Sequence, residues 1–234
     1  MIKNPIYEPK GAAREYGELA LNIYTGCPHR CFYCYAPNVL HCDREAFHSH
    51  VEPRPGIVDA VREQLERTGM TGKTVHLCFT CDPFPWGYDC TPTLDIIRLL
   101  KEHGNHVQIL TKGDGSPCVD LLDENDWYGV TLDGSEEPVV SRMRTDVLRK
   151  AKLYRGTRTW ISFEPALDPE MVLLKINRFK RYLDRVAIGK LNYHQLPEPI
   201  DWGAFGREAE ELCQRIGMDY YIKSSLRKEM ERNG

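Results

Sequence analysis

The 234-residue chain lacks any apolar run of membrane-spanning length, and its first residues, Met1-Ile2-Lys3-Asn4-Pro5, carry no apolar stretch of the signal-peptide kind. A cytoplasmic protein with no membrane partner is therefore expected. Strong charge of one sign is also missing: the formal net charge is −3 and the isoelectric point about 6.3. That balance provides no global field to draw in nucleic acid or an anionic membrane. Internal repeats with a sequence signature and low-complexity tracts are absent. With 41% hydrophobic and 28% charged residues, the composition is that of an ordinary globular protein. The length fits a single α/β domain over 1–234, whose core needs no disulfide staple.

Cysteine is what the chain has in quantity. Nine cysteines without an expected secretion signal point to metal or redox chemistry, not disulfides. Three fall in Thr25-Gly26-Cys27-Pro28-His29-Arg30-Cys31-Phe32-Tyr33-Cys34-Tyr35, spaced C-x3-C-x2-C, with no fourth at short range. Three thiolates in one loop suit an iron–sulfur cluster with one metal corner left open by the protein. Zinc normally closes with four protein ligands, and the C-x2-C pairs Cys31/Cys34 and Cys78/Cys81 are much further apart than the roughly 15–20 residues of paired zinc motifs. Cys42, Cys90, Cys118 and Cys213 show no second cluster spacing, so one cluster is expected.

Short β-rich runs at Ala20–Thr25, Thr74–Thr80, His106–Thr111, Trp127–Leu132, Thr159–Phe163 and Arg185–Lys190, with Asp219–Lys223 as a candidate seventh, alternate with helical patterns. Ile57, Val58, Val61 and Leu65 recur at helical spacing. Thr91-Pro92 opens a helix that stops at Gly104, and Ser116-Pro117 opens a shorter one. Longer helices are expected over about Val139–Tyr154, Asp168–Leu183 and Trp202–Ile216. This alternation implies parallel strands with right-handed crossovers. The expected fold is a partial parallel (β/α)6 barrel, since eight units need about 250 residues. Chemistry in such barrels collects at the C-terminal strand ends. Here those ends carry Cys27, Thr80-Cys81-Asp82, Thr111-Lys112, Thr131, Ser162-Phe163-Glu164 and Lys190-Leu191-Asn192.

The C-x3-C-x2-C loop, with Tyr33 just before its third cysteine and a strand just before the loop, resembles the signature of the radical S-adenosylmethionine (SAM) superfamily. The resemblance implies a radical SAM barrel in which Cys27, Cys31 and Cys34 hold a [4Fe-4S] cluster whose fourth iron chelates SAM. Reductive cleavage of SAM would then give a 5′-deoxyadenosyl radical, with the electron supplied by a donor such as flavodoxin or ferredoxin. Within the superfamily the chain is most similar to the spore photoproduct lyase-like branch, from about Ile6 to Lys223. The stretches that carry this likeness are Asn22–Cys27, Thr80–Pro83, Leu110–Lys112 and Ile188–Asn192.

By that resemblance, Lys112 and Thr131 contact the SAM carboxylate, as a fixed cation and a donor suit an anion. Tyr33 would pack on the adenine. Where many members carry Gly-Gly-Glu for the amino group of SAM, this chain has Thr80-Cys81-Asp82-Pro83. Cys81 and Asp82 thus stand at the cofactor, Asp82 either as an acceptor or as a plain turn residue before proline. The lyase takes a hydrogen atom from a cysteine at the position matched here by Phe79, so thymine-dimer lyase activity is not expected to carry over. Strand alternation puts Cys81 on the face of Phe79 and Cys78 on the other. There Cys81 is either a hydrogen donor or a small buried apolar residue.

His41, His48 and His50, with Cys42 and Asp43, read either as a metal site by spacing alone or as an exposed polar segment that no helix fixes. Glu164 reads as a cofactor or substrate contact, or as a salt-bridge partner. The resemblance favours a nucleobase or nucleic acid as substrate. Two basic runs either follow phosphates or are solvated helix faces: Arg142, Arg144, Arg149, Lys150, Lys152, Arg155 and Arg158, then Lys175, Arg178, Lys180 and Arg181. A monomer is expected. Competing readings are a non-catalytic iron–sulfur electron-transfer or regulatory protein, and a zinc-dependent nucleic-acid-binding protein.

Overall fold

The computed structural model describes residues 2–232 and places seven strands in one sheet, side by side in chain order. They are β1 (Leu19–Leu21), β2 (Thr74–Leu77), β3 (His106–Thr111), β4 (Trp127–Thr131), β5 (Arg158–Phe163), β6 (Arg185–Ile188) and β7 (Asp219–Ile222). Every neighbouring pair is parallel. The sheet is the expected partial parallel barrel, with β7 as the candidate seventh strand. Helices α1 (Ala36–Leu40), α2 (Arg44–Ser49), α3 (Ile57–Thr68), α4 (Thr91–Glu102), α5 (Pro138–Arg155), α6 (Pro169–Phe179), α7 (Trp202–Ile216) and α8 (Ser224–Arg232) complete the chain. Among the described residues, no helix is long and apolar enough to cross a membrane.

Alternation along the strands separates two environments. Val75, Leu77, Val107, Ile109, Val130, Ile161, Phe163 and Val186 join one apolar core with the buried residues of the helices. On α3 these are Ile57, Ala60, Val61 and Leu65, at helical spacing, and Gly69 closes the helix in the left-handed region with its N–H on the Leu65 carbonyl. Burying a side chain of this kind contributes about 1.5–3 kcal/mol. The opposite face of the sheet carries His76, Gln108, Gly129 and Trp160. Gly129 is needed there, because a Cβ would fall 2.2 Å from Trp160 Nε1.

β1 and β2 end earlier than the β-rich runs. Asn22 leaves the ladder, and its Oδ1 accepts the N–H groups of Phe79 and Thr80 at 2.8 and 2.9 Å. Cys78 adopts a φ of 74°, which interrupts strand alternation. Phe79 therefore stacks on His76 at 4.4 Å between ring centroids, whereas Cys78 and Cys81 both lie against the helix-side core. This corrects the expectation that Cys81 shares the face of Phe79.

The N-terminal segment reaches both edges of the sheet. Tyr7 makes an antiparallel bridge to Ala20, and Glu15 pairs with Lys223, just past β7, at 2.9 Å. The Tyr16 ring then reaches His76, Phe79 and Trp160 at 5.6–5.8 Å between centroids.

Gly129→Ala tests the close packing on Trp160. Overpacking of this kind costs about 1–3 kcal/mol, so the urea unfolding midpoint should fall; an unchanged midpoint contradicts the assignment.

Candidate functional site

The cysteine loop between β1 and α1 has little regular structure, and neighbouring side chains satisfy its backbone. The Arg44 guanidinium donates to the carbonyls of Cys31, Phe32 and Cys34 at 2.5, 3.0 and 3.1 Å. Asp43 caps α2 by accepting the Ala46 N–H at 2.8 Å. His48 is 4% exposed, and its Nδ1 lies 2.8 Å from the Cys27 carbonyl. His41, Cys42, Asp43 and His50 are exposed as expected, but the segment is not helix-free: α1 and α2 fix it, and buried His48 braces the loop. Gly26 lets that brace approach, since a Cβ there would sit 2.3 Å from the Phe47 carbonyl.

All nine cysteines are free thiols, and Cys27, Cys31 and Cys34 are half-buried. Burial raises the Cys27 and Cys34 thiols, and Cys31 is close enough to both to add to the effect. Three soft donors sharing one charge-averse site are a set that iron fits, because the metal supplies the positive charge that thiolates need there.

Beside the loop lies a cleft of about 370 Å³ lined by Cys31, Phe32, Tyr33, Lys112, Asp133 and Arg144, among others. Lys112 Nζ bonds both the Asp133 carboxylate and the Tyr33 hydroxyl, and stands 4.9 Å from the Tyr33 ring centroid. Burial opposes ionisation of Asp133, but the Lys112 ammonium holds its carboxyl well below the usual range. Arg144 is buried; its Nε donates to the Lys112 carbonyl at 2.7 Å and its Nη1 to the Thr131 carbonyl at 3.0 Å. Tyr33 and Lys112 thus meet at the cleft, and Arg144 is a buried brace that ties the Lys112 backbone to that of Thr131, not a member of a surface stripe.

Asp82 is 7% exposed. Its carboxylate accepts from Phe84 N (2.8 Å), Thr111 Oγ1 (2.5 Å) and Lys112 N (2.7 Å). His29 Nε2 lies 3.2 Å from it, off the line of a hydrogen bond. Cys81 Sγ accepts the Tyr24 N–H at 3.4 Å. Burial raises this thiol, but contact with Cys78 and backbone N–H groups outweigh it and hold it below its ordinary range.

A family model described as the Radical SAM superfamily matches residues 21–161, more than half of the chain, including all three loop cysteines. The chain belongs to the radical SAM superfamily. No curated protein matches it. Membership implies SAM cleavage by a [4Fe-4S] cluster. Residues on either side of the matched segment form a polar network on the inner side of the sheet. There Tyr16 donates to Glu164, and Lys223, 4% exposed, stands 3.6 Å from Glu164 and 3.7 Å over the Tyr16 ring. Its members are scattered from residue 15 to residue 223, so no local spacing announces them. Asp133 could have been found, two residues beyond Thr131 at a strand end. Arg144 was visible only as one basic residue among several.

Arg144→Leu should cost about 3 kcal/mol by leaving two carbonyls without a charged donor. Exposed Arg142→Ala should stay within about 0.5 kcal/mol of the parent. Equal urea midpoints for the two variants would return Arg144 to the surface stripe.

Proposed function

We propose that the chain is a radical SAM enzyme of the spore photoproduct lyase-like branch, a single core domain over 1–234 with one cluster on Cys27, Cys31 and Cys34. Its substrate is a nucleobase or nucleic acid, and its electron donor is of the flavodoxin or ferredoxin class. The observation that carries this reading is the three-thiol loop set beside a cleft where Tyr33 meets Lys112, at the strand ends of a parallel barrel. Cys27, Cys31 and Cys34 would hold the cluster, which would supply the electron for reductive cleavage of SAM and so open radical chemistry on the substrate.

The residues divide the remaining work. Lys112 offers a fixed ammonium to the carboxylate of SAM, with Asp133 and Arg144 setting its position. Thr131 contributes a donor beside it, and Tyr33 a flat wall for the adenine. Asp82 has its carboxylate committed to the rim, so its role is to hold the exits of β2 and β3 together. Cys81 stands behind that rim.

Exposed aromatics support a base-containing substrate. Phe32, Tyr35, Trp86, Tyr88 and Tyr193 are 42–99% exposed, all on loops that follow C-terminal strand ends. Stacking of a base on such rings contributes about 1–3 kcal/mol. The basic runs give less support, because Arg149, Lys152 and Lys175 are ion-paired with Asp146, Asp184 and Glu136.

Anaerobically reconstituted protein, given reductant and SAM, should release 5′-deoxyadenosine. Cys31→Ala should lose both the cluster's visible absorption and this product. Retained cleavage in that variant would remove Cys31 from the ligand set, and zinc without acid-labile sulfide in the parent would favour the zinc reading.

A further inference from the structure

We propose that Cys78 and Cys81 form a second redox site, a dithiol that exchanges with small-molecule disulfides beside the cysteine loop. The pair lies in Cys78-Phe79-Thr80-Cys81, at the exit of β2 and outside the C-x3-C-x2-C set. Both thiols are free, Cys78 buried and Cys81 half-buried. An extended strand would splay two such side chains too far apart for the geometry of a disulfide. Here the backbone turns instead: Cys78 has a φ of 74°, and Asn22 Oδ1 gathers the two intervening N–H groups. Both cysteines pack on the same apolar core, and each is near enough to shift the other's ionisation. A positive φ at a non-glycine residue is costly and concentrates at functional positions.

The surroundings are asymmetric. The Tyr24 N–H points at Cys81 Sγ and stabilises charge on that sulfur, which is also the more accessible of the two. Cys81 is the attacking thiolate and Cys78 the resolving thiol. Attack on R–S–S–R forms a Cys81–S–S–R bond, breaks the original S–S bond and releases one R–S⁻. Cys78, after losing its proton to solvent, then attacks Cys81 sulfur and expels the second R–S⁻. The protein dithiol is oxidised by two electrons, the small disulfide is reduced to two thiols, and water carries the two protons to the leaving groups. The cysteine loop would sense the bridge, because the Tyr35 hydroxyl, next to Cys34, donates to the Phe79 carbonyl at 2.6 Å.

The test equilibrates the cluster-loaded protein anaerobically with oxidised glutathione, alkylates remaining thiols in denaturant and reads the peptide 74–98 by mass spectrometry. The expected product has Cys78 bridged to Cys81 and Cys90 alkylated, and reverts with reduced glutathione. Cys78→Ser should leave glutathione trapped on Cys81; should that variant fail to fold, Cys81→Ser should take up none at Cys78. Alkyl label on both Cys78 and Cys81 of the parent overturns the proposal, as does a bridge from either to Cys27, Cys31, Cys34 or Cys90. The cluster's visible absorption, followed in the same samples, reports separately on the three-cysteine loop.

Discussion

The rim of this barrel hangs on one buried carboxylate. Asp82 follows β2, and its two oxygens face groups from three segments: Phe84 of its own turn, Thr111 and Lys112 at the exit of β3, and His29 inside the cysteine loop. Burial disfavours its charged form, yet the His29 ring, the Lys112 N–H and the Thr111 hydroxyl keep its carboxyl below the ordinary range. A buried carboxylate stays charged only where such partners converge. The convergence is what brings the cysteine loop and Lys112 to the same edge of the sheet. Arg144 acts from the other side, binding the carbonyls of Lys112 and Thr131, so the exits of β3 and β4 are also fixed to each other.

Much of the fold is legible in the sequence because its signals are local and repeated. Each β-rich run is short, the longer helices have apolar stripes, and Pro92 and Gly104 mark the ends of α4, although Cys90 and not Thr91 takes the N-cap position. The strand ends were harder. Asn22 and Cys78 look like strand residues, but one spends its side chain on two backbone N–H groups and the other takes a positive φ. Neither event leaves a periodic trace, and the facing of Cys81 turned on both.

The candidate site divides in the same way. Its cysteines announce themselves by spacing, and Tyr33, Lys112 and Thr131 come with the resemblance to the superfamily that the spacing brings. Arg44, His48, Asp133 and Arg144 act by satisfying backbone or charge across tertiary contacts, which spacing does not encode. The same holds on the inner face of the sheet, where Tyr16, Glu164 and Lys223 form a network outside the segment matched to the superfamily. The three cluster cysteines, Tyr33 and Lys112 lie within the matched segment, whereas Tyr16, Glu164 and Lys223 lie outside it. Phe79 is stacked on His76 and clamped through its carbonyl by Tyr35.

The central claim is that three cysteines hold a cluster with a corner open to SAM. The most direct measurement is electron paramagnetic resonance of the anaerobically reconstituted and reduced protein, with and without SAM, alongside iron and sulfide analysis. The account predicts about four iron and four sulfide per chain and a reduced-cluster signal that changes when SAM is added. A full cluster whose signal is indifferent to SAM would contradict it.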